Sequence, residues 1–312
     1  MGLILAFPGQ GAQKVGMGRD LAEASPAARE MFERIDAALD VPLSRLMWDG
    51  PEDELTRTHN AQPAILAHSV AMLAALGEGV STAVAAMGHS LGEYSAYVAA
   101  GALEPEDAAR LVRRRGELML EAGQQRPGAM AAVLGLPTSE VEAACQEASG
   151  GGEVAVAANL NAPDQTVVSG DPAAVERAGA SCKARGAKRV VPLKVSGAFH
   201  SPLMAPAAAG LAQALAAVPF EDPRIPVFAN ATAESVRTAA AARQLLVDQL
   251  TAPVRWVACV EAAAQLGDGA SFLEIGPGTV LSGLIRRIAP GSATAAAGTA
   301  ADLDSFTAPH QA

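Results

Sequence analysis

The pentapeptide GHSLG at residues 88–92 is the segment of this chain best suited to carry chemistry. It follows an apolar run at residues 83–87 that is typical of a strand, and it opens into a helix-forming segment at residues 93–100. Glycines two positions before and two after Ser90 allow a tight corner that projects the serine hydroxyl beside a helix N-terminus. A five-residue match can arise by chance in a chain with 30 glycines, but the flanking elements favour a nucleophile elbow.

A serine nucleophile needs a base, and the candidates are the five histidines His59, His68, His89, His200 and His310. His310 lies near the C-terminus, and His89, at the end of a predicted strand, should point away from Ser90. His200 follows the last strand of a predicted insert, where the chain returns to the larger unit and borders an interdomain cleft. A lone loop histidine is more often structural, but this position favours His200 as the base.

Arg115 is the next candidate, because helical spacing over residues 107–122 places it in the apolar stripe of a helix. Its neighbours Arg113 and Arg114 point elsewhere. An arginine aimed at the interior needs an anionic partner, since an unpaired buried charge is very costly. Two interpretations are equally open: a structural ion pair with an acidic side chain, or a fork that binds a substrate carboxylate through two parallel hydrogen bonds.

The turn FPGQGAQ at residues 7–13 is similar to a dinucleotide-binding loop, but Lys14 stands where the third glycine belongs. We therefore predict no Rossmann site and no cofactor. The glycines could instead let backbone N–H groups and the Gln10 amide approach a reacting oxygen. The chain has no H-E-x-x-H, Walker A or C-x-x-C spacing, so we predict no metal site and no nucleotide-hydrolysis site.

Composition favours an α/β protein. Of the 312 residues, 50% are hydrophobic and only 4% aromatic, so we expect a core of Ala, Val and Leu with alanine-rich helices. A formal charge of −10 argues against a nucleic-acid partner. The first apolar run, residues 3–7, predicts a strand rather than a secretory signal, and we expect no membrane partner. Without metal-ligand spacing, the cysteines predict reduced thiols and a cytoplasmic location: Cys145, Cys182 and Cys259.

The segment from Arg126 to Phe199 is electrically neutral and has its own pattern. It predicts the order β-α-β-β-α-β, with Ser139 as a helix cap, strands at 129–136, 153–159, 165–168 and 189–195, and helices at 139–148 and 171–185. This is the ferredoxin-like order, a compact unit that can be inserted into a larger domain.

Outside this segment, apolar runs alternate with helical stretches, which predicts a mostly parallel sheet covered on both faces, with strands at 3–7, 82–87, 226–229 and 271–275. We therefore predict a discontinuous large domain over residues 1–125 and 198–298, and a small domain over 126–197. Residues 299–312 lack periodicity and are predicted to be a flexible tail.

Eight separated motifs resemble those of the malonyl-CoA:acyl carrier protein transacylases and of the related acyltransferase domains of polyketide synthases. They occur in family order as FPGQGAQ at 7–13, Thr58 with AQPA at 61–64, GHSLGEYSA at 88–96, RRRGELM around Arg115, NLNAPDQTVVSG at 159–170, GAFHSPLM at 197–204, QLTAPVRW at 249–256 and EIGPG at 274–278. The resemblance implies an α/β-hydrolase-like large domain with an inserted ferredoxin-like domain.

The matching motifs also imply the catalytic groups. Ser90 and His200 correspond to the family's dyad, which lacks an acidic third member and orients its histidine through main-chain carbonyls. The implied oxyanion hole is the backbone N–H of Leu91 together with that of Gln10.

For the substrate, the resemblance assigns Arg115 to the malonyl carboxylate. It therefore favours the fork that binds a substrate over the structural ion pair. It associates Phe199 with malonyl selection, because bulk there leaves no room for an α-methyl group. Three further substrate-binding residues are implied: Gln62, Asn161 and Gln249, the last also lying near the histidine.

The implied reaction moves malonyl from malonyl-CoA to the phosphopantetheine thiol of a holo acyl carrier protein through a malonyl-Ser90 intermediate, for fatty acid or polyketide synthesis. We expect a cytoplasmic monomer. Two alternatives stay open. A hydrolase that clears acyl groups from carrier proteins would gain nothing from Arg115, and a non-catalytic docking module would not need Ser90 and His200.

An acidic carrier protein would need local positive charge on this chain. The insert offers four basic residues that could receive it or the CoA phosphates: Lys183, Arg185, Lys188 and Arg189. The alternative is an ordinary solvated helix end.

Overall fold

The structure is a computed structural model that describes residues 2–266 and 269–307. Its strands are β1 (Gly2–Phe7), β2 (Ala83–Gly88), β3 (Ala129–Leu134), β4 (Ala155–Ala162), β5 (Gln165–Gly170), β6 (Arg189–Pro192), β7 (Val227–Phe228), β8 (Ser235–Val236), β9 (Ala270–Ile275) and β10 (Ala293–Ala297). Its helices are α1 (Arg19–Ala24), α2 (Pro26–Leu39), α3 (Leu43–Asp49), α4 (Glu52–Thr56), α5 (Thr58–Leu76), α6 (Gly92–Ala99), α7 (Pro105–Gln125), α8 (Thr138–Ala148), α9 (Pro172–Ala184), α10 (Ala205–Ala216), α11 (Ala239–Asp248), α12 (Trp256–Ala264), α13 (Val280–Ile288) and α14 (Ala300–Thr307).

The larger sheet has the order β10-β9-β1-β2-β7-β8, and all its neighbouring strands are parallel except β8, which runs antiparallel to β7. The predicted mixed α/β fold with a mostly parallel sheet is thereby confirmed. Because β1 and β2 are parallel neighbours, the turns that follow them, with Gln10 and Ser90, emerge at the same edge of the sheet.

Alternate residues of β1 face two hydrophobic cores. Leu5 and Phe7 pack into a core shared with α5 and α7, whereas Ile4 and Ala6 pack into a second core with α12 and α13. All four are at most 2% exposed, as a central parallel strand requires. Helix α5 is long and apolar enough to cross a membrane, but most of it is buried in the protein, where it packs on α2 and α7.

The smaller sheet has the order β4-β5-β3-β6 and is antiparallel throughout. Its elements follow one another along the chain as β-α-β-β-α-β. Helices α8 and α9 cover one face, with Val141 and Val175 in the core between them and the strands. On the other side, Met130 and Val167 join the main core of the larger unit.

Several predicted boundaries are corrected by the structure. Helix α8 begins at Thr138 after Pro137, so Ser139 lies inside the helix and is not its cap. Strand β4 continues to Ala162, three residues beyond its predicted end at residue 159, because it pairs with β5 up to Gln165. Strand β6 ends at Pro192, three residues earlier than predicted.

The flexible tail predicted for residues 299–312 is wrong over residues 300–307, which form α14. The Asp302 carboxylate accepts hydrogen bonds from the N–H groups of Gly298 and Thr299 and so satisfies the start of this helix. Asp20 accepts another from the N–H of Ala300. Low periodicity in an alanine-rich segment hid a helix that packs on α1 and α5. Residues 308–312, with His310, lie outside the described residues.

Candidate active site

Ser90 stands at the corner between β2 and α6 with a positive φ of 53°. A Cβ at Gly88 would lie 2.0 Å from the backbone of Gly92, and a Cβ at Gly92 would lie 2.2 Å from the carbonyl oxygen of Phe7. Glycine is therefore the residue that both positions require, because the strand, the corner and the helix touch through their backbones.

The Gly92→Ala variant is expected to lose about 3 kcal/mol of unfolding free energy, because the added methyl group would overlap a rigid backbone oxygen. Gly283→Ala is the matched control. Gly283 lies inside helix α13, and a Cβ there would meet no atom within 4 Å. The control should gain about 0.5 to 1 kcal/mol from helix propensity. Chemical denaturation measures both; equal stability of Gly92→Ala and the wild type would contradict the close packing of the corner.

Ser90 and His200 are brought together from positions 110 residues apart, with Ser90 Oγ 2.8 Å from His200 Nε2. His200 Nδ1 lies 2.8 Å from the main-chain oxygen of Gln249. A carbonyl oxygen only accepts, so Nδ1 carries the proton and Nε2 accepts from the serine hydroxyl. Burial, with the nearby Arg115 charge, lowers the pKa of His200 to about 3. The imidazole is therefore neutral at neutral pH and able to take a proton.

The Arg115 side chain is 1% exposed and reaches the same point. Its Nη2 donates to Ser90 Oγ at 3.0 Å and to Gln249 Oε1 at 2.9 Å, and its Nη1 donates to Gln62 Oε1 at 2.7 Å. All three acceptors are neutral. Burial lowers the pKa of this guanidinium, and within the described residues no carboxylate forms an ion pair with it. The interpretation of Arg115 as half of a structural ion pair is therefore wrong.

Gln62 and Gln249 support Arg115 from behind. Both are fully buried, and neither is among the residues that line the cleft in front of Ser90. Gln62 also donates to Met119 Sδ at 3.3 Å. The structure therefore places these two predicted substrate-binding residues in contact with the guanidinium and not with the cleft.

Two turns beside Ser90 border the cleft. Gln10 and Leu91 both line it, and within residues 2–266 and 269–307 neither N–H has a hydrogen-bond partner. The two turns can approach because Gly9 has no side chain: a Cβ there would lie 2.6 Å from the carbonyl oxygen of His89. The Gln10 side-chain amide donates to Thr58 Oγ1 at 3.4 Å.

The cleft has a volume of about 320 Å³ and lies between the two sheets. The larger unit contributes Phe199, which is 6% exposed, in addition to Ser90, Arg115 and His200. The smaller unit contributes a mixed apolar and polar wall, made of Met130, Asn159, Asn161 and Val167.

His89 turns away from Ser90 Oγ. Its Nε2 lies 2.8 Å from Asn161 Oδ1, and its ring lies 5.6 Å from that of Trp256. The bond to Asn161 joins the nucleophile turn to β4 across the cleft, so Asn161 is held at the cleft wall by a protein partner.

Two residues of the site were missed from the sequence. Glu93 is fully buried in α6, and its Oε2 accepts from Gln249 Nε2 at 2.8 Å and from the N–H of Asn230 at 2.9 Å. Asn230 follows β7; its Oδ1 accepts from the N–H of Ser90 and its Nδ2 donates to the oxygen of Gly88, both at 2.7 Å. Burial raises the pKa of Glu93 to about 7. The sequence offered one signal for each residue: Glu93 is a carboxylate in an otherwise apolar helix, and Asn230 is a polar residue at the end of a strand.

Arg185 differs from the other basic residues predicted to meet a carrier protein. Its guanidinium forms ion pairs with Glu140 and Glu147, each at 2.5 Å, and so joins α9 to α8. These two carboxylates therefore already neutralise the positive charge of Arg185. Lys188 and Arg189 lie at the start of β6 and are exposed.

His59 and His68 lie outside the Ser90 cluster. His59 borders a groove that adjoins the cleft, whereas His68 is buried in α5. Within the described part of the chain, no three His, Cys, Asp or Glu side chains are grouped closely enough to hold a metal ion.

Acid should destabilise the protein partly through His68, because burial lowers the pKa of His68 to about 4, below the ordinary value of 6.5. Between these two values the unfolded chain binds the extra proton, so stability falls as the pH falls. We expect this residue to remove about 2 kcal/mol between about pH 7.5 and pH 5. Denaturation midpoints across that range should therefore fall less steeply for His68→Gln than for the wild type. Parallel curves would show that the pKa of His68 is the same in the folded and in the unfolded chain.

The family described as "Acyl transferase domain" matches residues 5–301. The malonyl CoA-acyl carrier protein transacylase of Bacillus subtilis (strain 168) is 45% identical over 282 residues, which cover 90% of this chain and 89% of the relative. The protein of the same name from Escherichia coli (strain K12) is 46% identical over 283 residues, covering 90% and 91%.

Solved structures agree with the curated relatives. A malonyl-transacylase in complex with a type II polyketide synthase acyl-carrier protein has a TM-score of 0.94 at 43% identity, covering 98% of this chain and 99% of that one. An acyl carrier protein S-malonyltransferase from Vibrio cholerae has a TM-score of 0.92 at 41% identity, covering 98% and 99%. With its Ser90, His200 and Arg115 cluster, this chain belongs to the acyl transferase domain family and, within it, to the malonyl CoA-acyl carrier protein transacylases.

Proposed function

We propose that this chain transfers malonyl from malonyl-CoA to the phosphopantetheine thiol of an acyl carrier protein, with Ser90 as nucleophile and His200 as general base. The observation that carries the proposal is the position of Arg115, a buried cation without an ion-pair partner in the described residues, 3.0 Å from Ser90 Oγ. A short acyl group with a free carboxylate can bind this guanidinium while its thioester carbonyl lies at the serine.

In the first half-reaction, Ser90 Oγ attacks the thioester carbonyl while His200 Nε2 takes the hydroxyl proton. The negative charge that develops on the carbonyl oxygen is received by the N–H groups of Leu91 and Gln10, each of which contributes about 3 kcal/mol in comparable sites. The main-chain oxygen of Gln249 accepts from Nδ1 and stabilises the imidazolium. CoA leaves as the thiol with the proton from Nε2, and malonyl-Ser90 remains.

In the second half-reaction, the carrier-protein thiol enters the same cleft and gives its proton to His200 Nε2. The thiolate attacks malonyl-Ser90, the same N–H groups hold the oxyanion, and the Ser90 oxygen leaves with the proton from Nε2. One cleft serves the acyl donor and then the acyl acceptor, so the kinetics should be ping-pong.

Selection between acyl groups follows from Arg115 and Phe199. The guanidinium favours binding of an acyl group that has a carboxylate, because a charge-assisted bidentate hydrogen bond is strong where water is excluded. The Phe199 ring lies in the cleft wall next to His200, and its bulk disfavours an α-methyl substituent. Gln62 and Gln249 act on the substrate indirectly by holding Arg115, and Asn161 contributes to the opposite wall.

We assign the larger unit, over residues 1–125 and 198–298, to an α/β-hydrolase-like domain, and residues 126–197 to an inserted ferredoxin-like domain. Helix α14, which packs on α1 and α5, extends the larger unit to residue 307. Support for the second assignment comes from the chain order β-α-β-β-α-β and the strand order β4-β5-β3-β6. The location that we propose is the cytoplasm, where buried free thiols such as Cys145 and Cys182 stay reduced.

Intact-protein mass spectrometry tests the function. The wild type is mixed briefly with malonyl-CoA or with acetyl-CoA, and a holo acyl carrier protein is then added. We expect a malonyl adduct that the carrier protein discharges, and little acetyl adduct. Release of CoA without an adduct would favour an acyl hydrolase, and neither adduct nor release would favour a docking module or another substrate.

For carrier-protein docking, we propose that Lys188 and Arg189, with Lys183, receive acidic groups at the outer edge of the small domain. Arg185 is excluded because its guanidinium is already paired with Glu140 and Glu147. Reversing the charges of Lys188 and Arg189 should raise the KM for the carrier protein and leave acylation by malonyl-CoA unchanged. An unchanged KM would reject this docking surface.

A further inference from the structure

Glu93 is a buried carboxyl group for which the transfer mechanism has no direct use. It lies in the first turn of α6 and is fully buried. Its Oε2 accepts from Gln249 Nε2 and from the N–H of Asn230, while its Oε1 has no hydrogen-bond partner in the described residues. Within the described residues it forms no ion pair with Arg115, although the two charges attract each other; its hydrogen bonds reach the site through two neighbours.

The first neighbour is the Gln249 amide, which has two possible orientations. In the structure Nε2 faces two acceptors, Glu93 Oε2 at 2.8 Å and the main-chain oxygen of Ser90 at 3.0 Å. Oε1 is thereby left to accept from Arg115 Nη2. The reversed orientation would direct an NH₂ group at a guanidinium, donor against donor, and an oxygen at two acceptors.

The second neighbour is Asn230. Its N–H is held by Glu93, and its side chain binds the N–H of Ser90 and the oxygen of Gly88. Glu93 Oε2 therefore connects the corner at Ser90, through Asn230, with the Gln249 amide that binds Arg115. A carboxylate accepts such bonds more strongly than a neutral oxygen does.

We propose that Glu93 is a positioning residue for malonyl transfer: its carboxyl group, together with the main-chain oxygen of Ser90, sets the direction of the Gln249 amide, which holds the Arg115 guanidinium beside Ser90. This inference rests on the proposed function, because it concerns the grip of Arg115 on a substrate carboxylate. It predicts a loss of selectivity for malonyl over acetyl, which a purely structural role of Glu93 would not produce.

The test compares single-turnover acylation by malonyl-CoA and by acetyl-CoA in Glu93→Met, which keeps the volume and removes both oxygens. We expect the malonyl-to-acetyl rate ratio to fall about tenfold. Glu93→Gln, which keeps one acceptor oxygen and loses the charge, should lower the ratio about threefold to fivefold. In a Gln249→Met background, Glu93→Gln should have no further effect on the ratio, because the link to Arg115 is already cut.

Glu274→Gln is the matched control. Glu274 is also fully buried and accepts from two backbone N–H groups, those of Leu281 and Ser282, at the start of α13. It should lower stability and leave the ratio unchanged. If Glu93→Met does not fold, Glu93→Gln decides. An unchanged ratio in Glu93→Gln would overturn the inference, whereas malonylation of wild-type Ser90 would still uphold the proposed function.

Discussion

Replacing either Ser90 or His200 by alanine is expected to reduce malonyl transfer by roughly 10⁴- to 10⁶-fold, because the two side chains act as one unit. Without Ser90 there is no oxygen to form the acyl-enzyme. Without His200, the serine hydroxyl, whose Oγ lies 2.8 Å from Nε2, has no partner to accept its proton, and the leaving thiolate has no proton donor. The double variant should be little worse than either single one.

Rapid-quench acylation followed by mass spectrometry measures this effect. Ser95→Ala is the control: Ser95 is buried in α6, one turn beyond the corner, and its hydroxyl has no hydrogen-bond partner among the described residues. Its removal should leave the rate within about twofold and cost little stability. A His200→Ala protein that still acylates at a tenth of the wild-type rate would require a different base, and His89 would then be the first to examine.

Replacing Arg115 by alanine is expected to slow acylation by malonyl-CoA about 10²- to 10³-fold while slowing acetyl-CoA much less, so that the selectivity nearly disappears. The expectation follows from charge: a malonyl carboxylate enters a site in which this guanidinium is 1% exposed and hydrogen-bonded only to neutral oxygens. Arg115→Lys should recover only part of the rate, since an ammonium cannot make two parallel bonds to a carboxylate.

Arg114→Ala is the matched control on the same helix. Arg114 is largely exposed and pairs with Glu117 and Glu121, an arrangement worth little stability. Single-turnover rates with the two CoA esters should be unchanged in this variant. If Arg115→Ala lowered both rates equally, the arginine would act by supporting the Ser90 hydroxyl, and the carboxylate would have to bind elsewhere.

The sequence by itself determined the features that depend on neighbouring residues. Gly88 and Gly92 flank Ser90 at the spacing that a tight corner needs, and the backbone contacts at those positions explain why no other residue fits. Apolar runs and helical spacing predicted the mixed α/β class and the chain order of the small unit. Eight motifs in family order predicted the family. Each of these signals is local, or is a series of local signals.

Tertiary structure decided which distant groups meet. Helical spacing placed Arg115 in the interior, but its surroundings are amide oxygens from residues 53 and 134 positions away in the chain. Local periodicity carries no information about such contacts, so the ion pair and the fork were equally open. Gln62 was assigned to the substrate by the family resemblance, and only the fold shows that it lies behind Arg115. Helix α14 was taken for a flexible tail because its packing on α1 and α5 leaves no local periodicity to detect.

The network of Glu93, Asn230 and Gln249 is the clearest example of what only the fold provides. These residues come from a helix start, a strand end and a helix end that lie far apart in the chain. The parallel strands β2 and β7 bring Glu93 and Asn230 to one edge of the sheet, and the end of α11 brings Gln249 to the same place. A buried carboxylate in such a place must find hydrogen-bond donors, and their identity depends on packing. The sequence therefore determined the nucleophile and its corner, whereas the packing of the chain determined what surrounds them.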